Sequence, residues 1–274
     1  MIFKLSKKGI RTILPKSFYK LLAEFYRKIF PEKRRLDTSM VKRNEEIFKK
    51  LKININDLKT ILHNTDVKYQ DCFTSWHYHL FAGINDIFKQ KNLIVKNILE
   101  IGTDKGDFAN FLSRIYMESQ IYTVDLPDDD PIFNEGYGRE DKSYRERFLK
   151  ERKNNLMPSN INFMELNSTT LLKELSDIKF DLIWIDGDHY NPQVTIDIMN
   201  SLQLAHEQSI ICVDDICFEN YKEDYISNES YLTLKNLEKN KILQNHFIYK
   251  RVFSNQNPIR YVSCSFLKSL KKTA

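Results

Sequence analysis

Residues 96–108 read KNILEIGTDKGDF, and this stretch decides the fold that we expect. Its first half is apolar and β-branched, which is typical of a buried strand. Gly102 and Gly106 follow, and glycine permits a positive φ and a close approach of the backbone. From Phe108 onward apolar residues recur at helical spacing. The stretch therefore predicts a strand, a glycine turn and a helix, an arrangement that often binds a small ligand at the helix N-terminus.

Two acidic residues flank this predicted ligand site. Glu100 ends the strand in a Glu-x-Gly-x-x-x-Gly pattern, which differs from the Gly-x-Gly-x-x-Gly of dinucleotide sites and disfavours NAD. Asp125 ends a second apolar run, residues 121–124. A carboxylate at that position suits a ribose, because it can accept hydrogen bonds from both hydroxyls. A glycine turn also simply connects strands, so the turn alone leaves the ligand open.

In these two motifs the chain resembles the class I S-adenosylmethionine (SAM)-dependent methyltransferases. The resemblance implies SAM as the cofactor and a seven-stranded, mostly parallel, doubly wound (Rossmann-like) α/β sheet that closes with a C-terminal antiparallel hairpin. Residues 245–253 and 260–266 have the pattern of that hairpin. The cofactor-binding residues implied by the resemblance are Glu100, Gly102, Thr103, Gly106, Asp125, Asn167, Ser168 and Asp186.

Asn167 and Ser168 follow a third predicted strand, residues 161–166. The resemblance implies that this strand end lies beside the adenine. An N-cap for the helix that begins near Thr169 explains the same residues equally well.

Aspartates cluster after the next two predicted strands. Residues 180–185 lead into Asp186-Gly187-Asp188-His189, and residues 209–213 lead into Asp214-Asp215. Adjacent parallel strands end at the same edge of a sheet, so four carboxylates are expected to converge there. That much like charge is costly unless a cation neutralises it, and a hard ion such as Mg²⁺ prefers oxygen ligands.

This pattern resembles the metal-dependent O-methyltransferases, and most closely the sugar O-methyltransferases of the macrocin type. The resemblance implies that Asp186, Asp214 and Asp215 bind Mg²⁺, that Asp188 is the general base and that His189 is a second candidate base. It also implies a hydroxylated small-molecule acceptor, a sugar or nucleotide-sugar of surface-glycan or natural-product synthesis. Turn and helix-cap roles for the aspartates are the alternative, and methyl transfer would then proceed without a metal.

Composition fits one α/β domain with an N-terminal extension. The chain has 274 residues, 42% of them hydrophobic and 29% charged. We divide it into a basic helical extension, residues 1–65, and a methyltransferase domain, residues 66–274. Within the domain, residues 126–160 form a long polar insertion, which is typical of a lid or a disordered loop. The aromatic and histidine cluster at residues 74–84 either packs against the sheet or forms a wall of the site.

Charge is unevenly distributed along the chain. Residues 1–36 carry eleven Lys and Arg against two Glu, whereas the rest of the chain has a net charge of −4. An acidic body argues against a nucleic-acid substrate. The basic segment predicts either a membrane-surface helix or a helix that docks on the domain or on a second subunit of a homo-oligomer.

The remaining features point to the cytoplasm, with contact at the inner membrane surface if the basic helix binds lipid. No apolar run is long enough to span a bilayer, and lysines interrupt any signal core near the N-terminus. The cysteines lack metal-ligand spacing and suit a reducing compartment; they are Cys72, Cys212, Cys217 and Cys264.

Two rival functions remain at this stage. Asp186-Gly187-Asp188 after a strand also matches the Asp-x-Asp of glycosyltransferases, although the upstream glycine turn and Asp125 argue against that class. A methyltransferase-like module that binds a partner without catalysis is the second rival, and it leaves the aspartate cluster unexplained.

Overall fold

The computed structural model describes residues 36–64, 75–135, 139–220, 227–254, 256 and 258–268. The predicted basic helix falls on residues 1–35, outside this part of the chain. The helices are α1 Thr38–Lys50, α2 Ile55–Asn64, α3 Trp76–Gln90, α4 Asp107–Ile115, α5 Pro131–Glu135, α6 Lys142–Asn155, α7 Leu171–Glu174, α8 Gln193–Leu204 and α9 Glu229–Lys239. The strands are β1 Asn97–Ile101, β2 Gln120–Asp125, β3 Ile161–Glu165, β4 Phe180–Ile185, β5 Ala205–Val213, β6 Leu243–Tyr249 and β7 Tyr261–Leu267.

The seven strands form one sheet in the order β3-β2-β1-β4-β5-β7-β6. Strands β1 to β5 pair in parallel, and β7 runs antiparallel to both β5 and β6. The predicted fold class, including the C-terminal antiparallel hairpin, is confirmed. Chain order reverses between β1 and β4, where open α/β sheets bind their ligands.

The continuous apolar runs of the central strands are explained by burial on both faces of the sheet. Ile98 and Leu182 are fully buried in the core on one face, and Leu99 and Ile183 are fully buried in the core on the other. Successive side chains of a strand alternate between faces, so a central strand with two covered faces needs apolar residues throughout.

Helices α1 and α2, which the sequence analysis placed in the extension, pack in the core of the sheet unit. Phe48 and Leu58 are fully buried there, and the compact unit begins at Asp37. Asn44 also closes the edge of the sheet, because its amide donates to the Tyr249 carbonyl (3.0 Å) and accepts from the Tyr249 N–H (2.8 Å). These helices therefore belong to the structural unit that carries the site.

Helix α8 ends at Leu204, and β5 begins directly after it at Ala205. Strand β5 is longer than the predicted span 209–213, and its pairing with β4 shifts register between Phe180 and Leu182. The predicted span contains the part of β5 that pairs regularly with β4.

The predicted insertion contains helices α5 and α6. Arg152 is buried and stacks over Phe133, Phe148 and Phe163. Asn155, at the end of α6, donates to the Lys105 carbonyl (2.9 Å) of the glycine turn. The insertion is thus packed against the sheet and the turn. Its role as a lid stays a prediction.

Within the described ranges, no helix has the length and apolar character needed to cross a membrane.

Candidate active site

A cleft of about 340 Å³ opens at the carboxyl ends of β1, β4 and β5. Of the residues predicted from sequence, Glu100, Gly102, Thr103, Asp186 and Asp214 line it. The other predicted residues are Gly106, Asp125, Asn167, Ser168, Asp188, His189 and Asp215. These belong to the turns and strand ends around the cleft.

Gly102 is the tightest point of the glycine turn. It has a φ of +101°, and a Cβ there would lie 2.3 Å from the Asp186 carbonyl oxygen. Its N–H donates to the Val124 carbonyl (2.8 Å), while the Asp186 N–H donates to the Ile101 carbonyl (2.8 Å). The turn therefore connects the ends of β1, β2 and β4, and only glycine leaves room for the β4 backbone.

Gly106 forms the N-cap of α4 with a φ of +73°. A Cβ there would contact the side chain of Leu156, which follows α6. The second glycine thus serves the packing of the insertion as well as the start of the helix.

Asp125 anchors the turn to the end of β2. Its Oδ2 accepts from the Asp104 N–H (2.8 Å) and its Oδ1 from the Leu126 N–H (2.8 Å). Burial raises the pKa of this carboxyl, and the two backbone hydrogen bonds oppose that rise. Each oxygen retains a second lone pair, so the carboxylate can still accept hydroxyl hydrogens.

Glu100 is buried at the base of the cleft, with only 1% of its surface exposed. Its Oε2 accepts from the Thr123 hydroxyl (2.5 Å), and that hydroxyl lies 2.6 Å from Thr103 Oγ1. Burial raises the pKa of Glu100 to about 8. Without a bound cation the side chain is therefore mostly protonated at neutral pH.

The aromatic and histidine cluster both packs and lines the cleft. His77 lines the cleft, and its ring is stacked 6.3 Å from Trp184. Burial, and then the charges of Lys250 and Arg251, hold the pKa of His77 well below its ordinary value. His79, by contrast, stacks on Trp76 at 5.0 Å.

The strand-end aspartates meet two basic side chains. Lys250 Nζ contacts Asp214 and lies 2.7 Å from Asp215 Oδ1, and Arg260 contacts Asp215. Burial acts to raise the pKa of Asp214, yet Lys250 holds it below its ordinary value. Burial and the neighbouring Asp214 carboxylate raise the pKa of Asp186.

This arrangement does not fit the predicted Mg²⁺ site. Among the described residues, no group of three or more His, Cys, Asp or Glu side chains is placed to hold a metal ion. Asp214 Oδ2 and both oxygens of Asp215 are paired with Lys250 and Arg260 instead, whereas Asp214 Oδ1 is buried without a hydrogen-bond partner among the described residues. The convergence of carboxylates is present, but the neutralising charge comes from the chain itself.

The candidate bases lie on the rim beyond Asp186. Asp188 is exposed, and its Oδ1 accepts from the Tyr190 N–H (3.0 Å), which closes a turn. His189 Nε2 lies 3.8 Å from Asp186 Oδ1.

Asn167 and Ser168 have structural contacts. Asn167 Oδ1 accepts from the Thr169 N–H (3.0 Å) and caps a short 3₁₀ helix, and Ser168 Oγ accepts from Gln193 Nε2 (2.7 Å). The N-cap interpretation describes Asn167, while the cofactor role of both residues stays a prediction.

Sequence reasoning missed Lys250 and Arg260. The signal that indicates them is topological: Lys250 follows β6, and Arg260 precedes β7. Because β7 is antiparallel to β5, its start lies at the same edge as the end of β5, beside Asp215.

Comparisons with known proteins agree with this geometry. Residues 99–216 match a family model described as a methyltransferase domain. A candidate O-methyltransferase from Klebsiella pneumoniae is similar in structure, with a TM-score of 0.50 and 15% identity over 82% of this chain and 96% of that chain. An O-methyltransferase from Bacillus cereus, solved in complex with S-adenosylhomocysteine (SAH), has a TM-score of 0.48 and 15% identity over 82% of this chain and 96% of that chain. No curated protein sequence gives a significant match.

The described residues therefore have a Rossmann-like methyltransferase fold.

Proposed function

We propose that this protein transfers a methyl group from SAM to a hydroxyl of a small acceptor, a sugar or nucleotide-sugar. The observation that supports this best is the cleft, in which the glycine turn after β1 faces the aspartates after β4 and β5. A cofactor on the turn and an acceptor at the aspartates would then be neighbours, as group transfer requires.

The cleft is lined by more carboxyl than basic side chains. Five carboxyl side chains line it: Glu100, Asp104, Asp107, Asp186 and Asp214. Three basic side chains line it, and two are already paired, Lys105 with Glu151 and Lys250 with Asp214. A carboxylate among these side chains can pair with the ammonium group of SAM.

When bound, SAM supplies a methyl group activated by its sulfonium. In our proposal Asp125 accepts hydrogen bonds from the ribose hydroxyls, and Asn167 and Ser168 lie towards the adenine. Glu100, Gly102, Thr103 and Gly106 shape the turn beneath the cofactor.

The rim beyond Asp186 suits a polyhydroxylated acceptor. Asp188, His189 and the exposed ring of Tyr190 offer hydrogen-bond acceptors and an aromatic face. We assign Asp188 as the base, because its Oδ1 is held by Tyr190 while Oδ2 is available for the acceptor proton. A cofactor held on the glycine turn would supply the methyl group to the deprotonated acceptor oxygen, and the electrons of the broken carbon–sulfur bond would remain on sulfur. His189 is the alternative base.

The first test is calorimetric titration of SAH into the wild type and Asp125→Asn. We expect micromolar binding by the wild type and a loss of at least tenfold in Asp125→Asn, because the amide nitrogen of asparagine cannot accept a hydroxyl hydrogen. Asp177→Asn, a change on the exposed surface, should bind like the wild type. Wild-type protein that does not bind SAH would refute the proposed function, and unchanged affinity in Asp125→Asn would refute only the ribose assignment.

The second test uses methyl-labelled SAM with free sugars, nucleotide-sugars and catechols as acceptors. For the acceptor that is labelled, we expect Asp188→Asn to lower the rate about a hundredfold without changing the affinity for SAH. A comparable loss in His189→Asn alone would instead assign the base to His189.

A further inference from the structure

We propose that Lys250 takes the place of a divalent cation at the strand-end aspartates and offers its remaining N–H to the acceptor oxygen. This inference rests on the proposed methyl transfer. The chain would then be a metal-independent methyltransferase in which the Lys250 ammonium neutralises the aspartate cluster.

The backbone holds Lys250 in place. The residue directly follows β6, and its N–H donates to the Arg260 carbonyl (2.9 Å) across the hairpin. Its side chain is only 13% exposed, and the Asp214 side chain is 1% exposed. An ion pair with so little solvent is screened weakly, so its charges act strongly on their neighbours.

The ammonium lies between two of the three carboxylates that were predicted to bind the metal. Lys250 Nζ contacts Asp214 Oδ2 and lies 2.7 Å from Asp215 Oδ1, while Arg260 contacts the other Asp215 oxygen. A divalent ion bound to the same two oxygens would meet an ammonium at contact distance. Repulsion between the two cations, together with the cost of displacing a buried lysine, therefore disfavours the metal.

One donor of Lys250 remains for a ligand. An ammonium has three N–H groups, and among the described residues two of them are used, by Asp214 and Asp215. Lys250 lines the cleft together with Asp186 and Asp214. A hydroxyl bound to the third N–H would lie at the end of β4, close to the cofactor turn and to the rim that carries Asp188.

The experiment is a Mn²⁺ titration followed by electron paramagnetic resonance, on purified full-length protein without acceptor. We expect the wild type to bind Mn²⁺ no better than Asp214→Asn, which removes one carboxylate of the cluster. The control Lys235→Ala, which removes an exposed lysine paired with Glu238, should behave like the wild type. Lys250→Ala frees Asp214 Oδ2 and Asp215 Oδ1 and is expected to bind Mn²⁺ at least tenfold more tightly than the wild type. Asp214→Asn in the Lys250→Ala background should abolish that gain.

A Mn²⁺ site in the wild type that Asp214→Asn removes would overturn the proposal, and so would Lys250→Ala without a gain. If Lys250→Ala does not fold, Lys250→Arg decides. It keeps the charge and should exclude Mn²⁺ as the wild type does, and a tight site in either protein would again overturn the proposal.

Titration of SAH into the same samples separates this inference from the proposed function. SAH binding together with a tight wild-type Mn²⁺ site would leave the methyltransferase standing and remove the role of Lys250. Absence of SAH binding would refute the methyltransferase whatever the Mn²⁺ titration shows.

Discussion

Gly102→Ala is expected to destabilise the protein by about 4 kcal/mol or more, at the upper end of single substitutions. A Cβ at this position would lie 2.3 Å from the Asp186 carbonyl oxygen and 2.6 Å from its carbonyl carbon. Both atoms belong to backbone at the end of β4, which cannot rotate away as a side chain can. The φ of +101° adds strain for any residue with a Cβ. Chemical denaturation measures the loss, and SAH binding should disappear with it.

Gly187→Ala is the matched control, since Gly187 lies beside Asp186 on the other side of the same contact. A Cβ there would meet its nearest neighbour, a methyl of Ile101, at 3.5 Å, which is ordinary contact. We expect its stability to stay within about 1 kcal/mol of the wild type. If both variants lost the same unfolding free energy, the close approach at Gly102 would not be the cause of the loss. An added methyl group would then be destabilising at either position.

The features that the sequence predicted well are those encoded by neighbouring residues. The runs that became β1 and β4 are mostly apolar because both faces are covered, with polar exceptions such as Glu100 and Asp181, and each is followed directly by its turn or its aspartates. Gly102 was identified because a positive φ strongly favours glycine. The ends of the strands, and hence the edge of the sheet that holds the site, follow from these local signals.

The features that the sequence could not supply depend on contacts between distant segments. Lys250 and Asp214 are 36 positions apart, and Asn44 pairs with Tyr249 across 205 positions. The prediction of Mg²⁺ assumed that no cation of the chain would reach the aspartates. Strand β7 pairs with both β5 and β6, and the register of these pairings places Lys250 and Arg260 beside the aspartates. Strand register is not apparent from composition or spacing.

The second large effect concerns the pH dependence of stability and its origin in Glu100. Its pKa is raised from an ordinary 4.5 to about 8 by burial. A group whose pKa is raised by folding contributes stability that is complete below pH 4.5 and is lost as the pH rises through 8. Between the two pKa values the folded protein holds one more proton than the unfolded chain, so the unfolding free energy falls by about 1.4 kcal/mol per unit of pH. We expect the wild type to lose about 2 kcal/mol of unfolding free energy from this residue between pH 6.5 and 8.

Glu100→Gln should remove that loss, because glutamine has nearly the same shape, can accept from Thr123 and cannot ionise. The difference between wild type and variant, from urea denaturation at pH 6, 7, 8 and 9, isolates Glu100 from every other titrating group. Glu118→Gln, at an exposed turn, should follow the wild-type curve. Parallel curves for wild type and Glu100→Gln would mean that Glu100 ionises in the folded protein much as it does in the unfolded chain. A cationic ligand in the cleft should lower the pKa of Glu100, so SAM binding near pH 7 should release protons in the wild type and fewer in Glu100→Gln.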